Sequence, residues 1–173
     1  MRIVVCVKHV PDMQSERRFE GGRLVRGEDD VLNELDENAI EAAVQMKEAE
    51  EDAGREAEVI ALTMGPEDAE DALMRALQMG ADRAFLVSDE FLEGSDVITT
   101  ASVLSVAIAK VSEECGPVDL VVTGMASLDA MTSMLPGALA AKAHMPLLGL
   151  ARTLSVADGA VTIERSVDGY TET

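Results

Sequence analysis

Tryptophan is absent from this sequence, and aromatic residues are scarce: Phe19, Phe85, Phe91 and Tyr170 are the full set in 173 residues. The core must therefore be filled by Val, Ile, Leu, Ala and Met, which together with the rarer types make 47% of the chain apolar, enough for one domain spanning 1–173. Ten methionines and many alanines suit thin helices packed close to a sheet. Cysteine is nearly absent too. Cys6 sits in the first apolar run and Cys115 at a helix end, which excludes a disulfide framework and any cysteine-based metal spacing. His9 and His144 stand far apart, so no HExxH-like zinc site is available. Positive charge is the other shortage. Four Lys and ten Arg face 33 acidic residues, for a net charge of −19, which repels phosphate backbones and excludes nucleic acid as partner. The acidity reads as a solvated surface, and an anionic small ligand would need local help from helix N-termini and backbone N–H groups. No apolar run approaches the roughly 20 residues a membrane helix needs, so no membrane insertion is expected. Met1-Arg2 leads into Ile3–Val7, which Lys8 closes and which is too short for a signal peptide's apolar region, and a cytoplasmic protein is expected.

What is present is a regular alternation. Ile3–Val7, Glu58–Thr63, Arg83–Val87 and Val118–Val122 are short, nearly continuous β-branched runs, as strands buried on both faces require. Segments of helical period separate them: Ala39, Ile40, Ala43, Val44 and Lys47, then Ala69, Leu73, Ala76 and Leu77, then Ala101, Leu104, Ile108 and Val111. The pattern predicts an α/β fold: a three-layer, doubly wound, mostly parallel, Rossmann-like sheet. Gly65-Pro66-Glu67-Asp68 starts a helix, Gly80 stops it, Ser95-Asp96 caps the third helix, and Gly116-Pro117 ends it. Asp36, preceded by Asn33, is positioned to cap the first helix, and the acidic run Glu48–Asp52 reads as that helix's wet face and end.

Two regions break the alternation. Residues 15–31 are polar, with Phe19–Val25 reading as a small hairpin turning on Gly21-Gly22, either a functional flap or a mobile loop. After residue 145, Leu147–Leu154 and Ala160–Arg165, joined by Asp158-Gly159, predict a C-terminal antiparallel hairpin. The stop at Glu172-Thr173 reads as a chain cut short.

Ligands of open parallel sheets bind beyond the carboxyl ends of the strands, where strand order reverses. That singles out Val7–Pro11, Met64–Pro66 and above all Thr123–Pro136, where Gly124, Ser127, Asp129, Thr132 and Ser133 precede a helix. Small residues and hydroxyls there suit a phosphate cradle, and they equally suit an ordinary capped loop. Met125, Met131 and Met134 are expected mainly to fill core gaps rather than pack a ligand. No Walker loop, GxSxG elbow or GxGxxG fingerprint is present, and no carboxylate pair converges on an apolar pocket. Binding or electron transfer is expected, and catalysis by this chain's own residues is not.

Six segments in order resemble β subunits of electron-transfer flavoproteins: residues 3–12 (IVVCVKHVPD), 32–43 (LNELDENAIEAA), 61–66 (ALTMGP), 76–84 (ALQMGADRA), 119–124 (DLVVTG) and 164–173 (ERSVDGYTET). The resemblance implies a heterodimer with an α subunit that holds most of a redox-active FAD. It implies AMP in a structural role within the β subunit, or a second FAD in bifurcating relatives. Electrons would arrive from acyl-CoA or other flavin dehydrogenases and leave to an ETF-quinone oxidoreductase or another acceptor. Carried onto matching positions, the nucleotide would contact Cys6, Asn33, Glu34, Leu35, Asp36, Met64, Gly124, Met125, Ala126, Ser127, Leu128, Asp129, Thr132, Ser133, Met134 and Leu135. Many family members carry Asp-Gly-Asp-Thr-Gly-Gln where this chain has Asp129-Ala130-Met131-Thr132-Ser133-Met134, so only Asp129 and Thr132 match. A subunit whose altered loop serves only as scaffold is thus a competing expectation. A universal-stress-type nucleotide-binding regulator is another, although that family's glycine-spaced ATP loop is missing.

Overall fold

The protein is described by a computed structural model that covers residues 1–157 and 159–173. Strand β1 (Arg2–Cys6) is followed by the short β2 (His9–Pro11), the hairpin β3–β4 (Phe19–Glu20 and Arg23–Leu24) and β5 (Asp30–Leu32). Then come α1 (Glu34–Asp52), β6 (Glu58–Met64), α2 (Glu70–Gln78), β7 (Arg83–Val87), α3 (Val97–Cys115), β8 (Leu120–Thr123) and α4 (Leu135–Ala143). The chain closes with β9 (Thr153–Ala157), β10 (Ala160–Val167) and β11 (Tyr170–Glu172).

Strands β7, β6, β1 and β8 pair in that spatial order, all parallel. Side chains alternate across this sheet. Ile3, Val5 and Val7 pack with Ile40, Ala43 and Met46 of α1 and with Leu73 and Ala76 of α2. Val4 and Cys6 face the opposite layer, with Leu104 and Ile108 of α3 and Leu139 of α4. Helices therefore cover both faces, and the three-layer doubly wound reading holds. Alanine dominates the contact lines: Ala43, Ala61, Ala72, Ala76 and Ala101 have no exposed surface, so helices sit close to the strands without aromatic spacers.

Asp96 accepts from the Thr99 N–H at 2.7 Å to start α3, and Gly116 ends it at φ 99°. Asp36 does not cap α1. Asn33 holds the N-cap position and Asp36 lies in the first turn, because its carboxylate is drawn across to the N–H of Lys8 at 2.9 Å. The acidic run 48–52 is not wholly wet either: Glu50 is buried, and Arg55 grips it at 2.8 and 2.6 Å. That guanidinium holds the Glu50 carboxyl below its ordinary pKa.

The C-terminal strands form a separate antiparallel sheet in the order β11-β10-β9. Its first strand begins at Thr153, not at Leu147: Pro146 and Gly149 interrupt the apolar run, and Leu147, Leu148 and Leu150 stay exposed. Asp158 of the expected Asp158-Gly159 turn lies outside the described residues. Among the described residues no helix is long and apolar enough to cross a membrane.

Candidate functional site

In the order β7-β6-β1-β8 the chain winds outward in one direction from β1 through β6 to β7, then returns to place β8 on β1's other side. The reversal lies between β1 and β8, whose carboxyl ends meet where Cys6 pairs with Thr123.

Three elements converge there. Gly124 leaves β8 pressed against the first turn of α1. A Cβ at this position would land inside the Asp36 carboxylate and lie 3.0 Å from the Leu35 carbonyl oxygen. Asn33, with no exposed surface, ties the same turn to the following loop. Its amide donates to the Ala126 carbonyl at 2.9 Å and its oxygen accepts from the Leu128 N–H at 3.0 Å. Removing that amide leaves two loop groups without partners, at about 1–3 kcal/mol each when buried. Asn33→Ala should therefore lower the melting temperature by several degrees in a thermal scan, and an unchanged midpoint would show that the bridge carries no stability.

The charges are arranged unlike the rest of the surface. Asp129, with 1% of its side chain exposed, accepts from Lys8 Nζ at 3.0 and 2.9 Å and is paired with Arg26. Burial opposes its ionisation, but the hydrogen bonds from Lys8, Arg26 and Ser127 prevail and hold its pKa down at about 2. Arg17 donates to the Leu128 carbonyl at 3.2 Å. A chain of net charge −19 thus sets two cations on one buried carboxylate and a third, Arg17, on the neighbouring Leu128 carbonyl. Asp36 shows the opposite balance. Burial pushes its carboxyl up to about 6, against hydrogen bonds from Asn33 and from the Lys8 N–H, with lesser help from the Lys8 charge and the Gly124 N–H. Burial first, and the Asp36 charge second, raise the Cys6 thiol to about 12, so it stays a neutral packing group.

The structure brings Cys6, Asn33, Leu35, Asp36, Gly124, Ala126, Ser127, Leu128 and Asp129 into this one crevice. Glu34 is exposed at the start of α1, and Met64 ends β6 on the far side of β1 from β8. Thr132, Ser133 and Met134 are exposed on the approach to α4, and Leu135 is half-buried at its first position. Met125, Met131 and Met134, expected to fill the core, are more than half exposed at 53%, 57% and 54%. They belong to neither core cluster and lie on the loop between β8 and α4. Sequence reasoning misses Arg17 and Arg26, which lie in a segment with no strong period, and it marks Lys8 only as part of the Val7–Pro11 stretch after β1, without giving its ammonium a role.

This donor set suits the phosphate of a nucleotide. Met131 and Ser133 adopt left-handed backbone (φ 51° each), and Met134 returns to helical values at the start of α4. The Met131 N–H is spent on the Ser127 carbonyl at 2.7 Å, so the backbone donors left to an anion here are those that follow it, ahead of a helix N-terminus. The exposed methionines offer apolar surface to a flat ring. A cleft of about 540 Å³ between β7 and α3 is lined mostly by apolar residues such as Phe85, Val87 and Val106, with Ser102, Lys110 and Glu114 as its polar lining. Among the described residues no cluster of His, Cys, Asp or Glu could hold a metal ion.

Comparison with known proteins identifies the family. The electron transfer flavoprotein domain matches residues 22–173. The electron transfer flavoprotein subunit beta of Mycobacterium leprae is 38% identical over 96% of this chain and 62% of its own length. The corresponding subunit of Megasphaera elsdenii is 35% identical over 98% of this chain and 63% of its own. Subunit CarD of the caffeyl-CoA reductase-Etf complex of Acetobacterium woodii is 36% identical over 98% of this chain and 63% of its own. The chain thus spans somewhat under two thirds of the length of these curated relatives. It belongs to the electron transfer flavoprotein family, and within that family it is similar to β subunits.

Proposed function

We propose that residues 1–173 form one nucleotide-binding unit of an electron-transfer flavoprotein β subunit, an electron carrier without catalytic residues of its own. The observation that carries this reading is the likeness to β subunits along nearly the whole chain, combined with a crevice at the strand-order reversal whose donors suit a phosphate. AMP, or a second FAD, would lie between β1 and β8. The N–H groups of the Thr132–Leu135 approach to α4 would face its phosphate, and Asn33 and Gly124 would hold the loop against α1. Lys8 and Arg26 act one step back, fixing Asp129 and offsetting the field of the acidic surface. A flavin supplies electron transfer when bound, and most of it would be held by an α subunit in a cytoplasmic heterodimer. Acyl-CoA or other flavin dehydrogenases would donate electrons, and an ETF-quinone oxidoreductase or another acceptor would receive them.

The test is co-expression with a candidate α subunit, followed by the visible spectrum of the purified complex and analysis of the nucleotides it releases. One flavin and one AMP per heterodimer is the expected result, and two flavins would put FAD in the β crevice. A chain that recruits no partner and no flavin would end the electron-carrier reading.

A further inference from the structure

The excursion between β1 and α1 makes contact with the segments that follow β8 and β7, the two edge strands of the parallel sheet. After β8, Arg26 pairs with Asp129 and Arg17 donates to the Leu128 carbonyl at 3.2 Å. After β1, Arg26 donates to the His9 carbonyl at 3.4 Å. Near the segment after β6, Gly27 comes within ordinary van der Waals range of α2's approach, a Cβ there lying 3.9 Å from the Asp68 carboxylate. After β7, Arg23 pairs with Glu93 at 3.4 Å and lies against Gly94. Since β7 and β8 are the two edges of the sheet, the excursion crosses its entire carboxyl end and is fastened at both sides.

The way it is fastened matters. Its stem is apolar and firm: Val10 and Leu32 are buried where β2 pairs with β5. Beyond the stem most residues from 12 to 30 are exposed, Phe19 by 70%, and none is buried. The outer part is held by arginine contacts rather than by burial. Such a segment opens at low free energy while the sheet below stays folded. Its strongest fastening is the buried Asp129 carboxylate beside the crevice; the Arg23–Glu93 pair is exposed and contributes less.

We infer that residues 12–30 are a strap over the β1–β8 crevice, that their arginine contacts keep it shut, and that it must lift for a bound nucleotide to leave. This rests on the nucleotide reading of the crevice given above. The strap sets the rate of exchange through Arg26 and Arg23, which act through Asp129 and Glu93 and are positioning residues. Because the fastenings are ionic, salt loosens them.

The experiment is a chase. The chain is loaded with radiolabelled AMP, excess unlabelled AMP is added, and release is timed for the wild type and for the double variant Arg23→Ala/Arg26→Ala. Hydrogen exchange is followed on the same samples. Release from the variant should be about tenfold faster, the factor that follows from losing one modest charged contact. Exchange should quicken across 12–30 and stay slow in β1 and β6. Wild-type release should also quicken as sodium chloride is raised, a check that does not depend on the variant folding. If exchange in 12–30 quickens while release is unchanged, the strap is not a gate. Wild-type protein that retains no AMP overturns the nucleotide reading, and the gate with it, a result distinct from retained AMP with unaltered release.

Discussion

Gly124→Ala should destabilise the fold by about 3 kcal/mol, at the upper end of what overpacking costs, and lower the melting temperature by roughly 6–12 °C. The added methyl meets the Asp36 carboxylate, a short side chain held by its other oxygen, and the backbone oxygen of Leu35. Asp36 is tied to the Lys8 N–H at 2.9 Å, and Leu35 belongs to the first turn of α1, so relief requires α1 to part from the end of β8. The same motion would strain the Asn33 bridges to Ala126 and Leu128. A control separates this from generic effects of alanine. Gly137 lies within α4 with nothing within 4 Å of where a methyl would stand, and there alanine should stabilise by about 0.5–1 kcal/mol. Thermal scans of both variants check the pair of signs. Equal midpoints for Gly124→Ala and wild type would mean that α1 and β8 do not approach each other this closely.

The second large effect is a gain of stability on mild acidification. In the folded chain Asp36 titrates at about 6, against an ordinary value of 3.8. Between those values the folded state binds more protons than the unfolded one, so unfolding free energy rises as pH falls through 6 and levels off below about 4. The shift corresponds to up to about 3 kcal/mol. Asp129 works in the opposite sense and in a lower window. Its folded value of about 2 lies below 3.8, so its contribution is complete above that pH and is lost as pH falls from about 4 toward 2. Urea unfolding at a series of pH values should thus give a maximum near pH 4, and Asp36→Asn should remove most of the slope between 4 and 6. An identical slope in variant and wild type would assign the pH dependence to the acidic surface as a whole.

The strands and helices of the parallel core are legible in the sequence because burial on both faces leaves little choice of residue. Runs such as Ile3–Val7 and Glu58–Thr63 carry that signature, and each observed boundary falls within two residues of it. The β2–β5 pair is not legible. Three-residue strands carry no period, and their pairing joins His9 to Leu32 across a polar excursion that only the tertiary fold brings back. The exposed methionines of the 125–134 loop mislead for a related reason: apolar character says a residue can be buried, whereas the available space decides whether it is. The roles of Asp36 and Asp129 are equally hidden. Both are acidic residues among 33, and only their neighbours, Lys8 with its N–H for one and its ammonium for the other, set them apart.

The pairing of β1 with β8 has a consequence for how such a site can be inherited. One wall comes from residues 3–8 and the other from 120–135, and Ile3 sits opposite Leu120 in the sheet. No contiguous stretch of sequence contains the crevice, so it cannot be transplanted as a motif or preserved when the chain is divided between those walls. A gene fusion or recombination that carries the site elsewhere must move everything from the first strand to the fourth helix as one block.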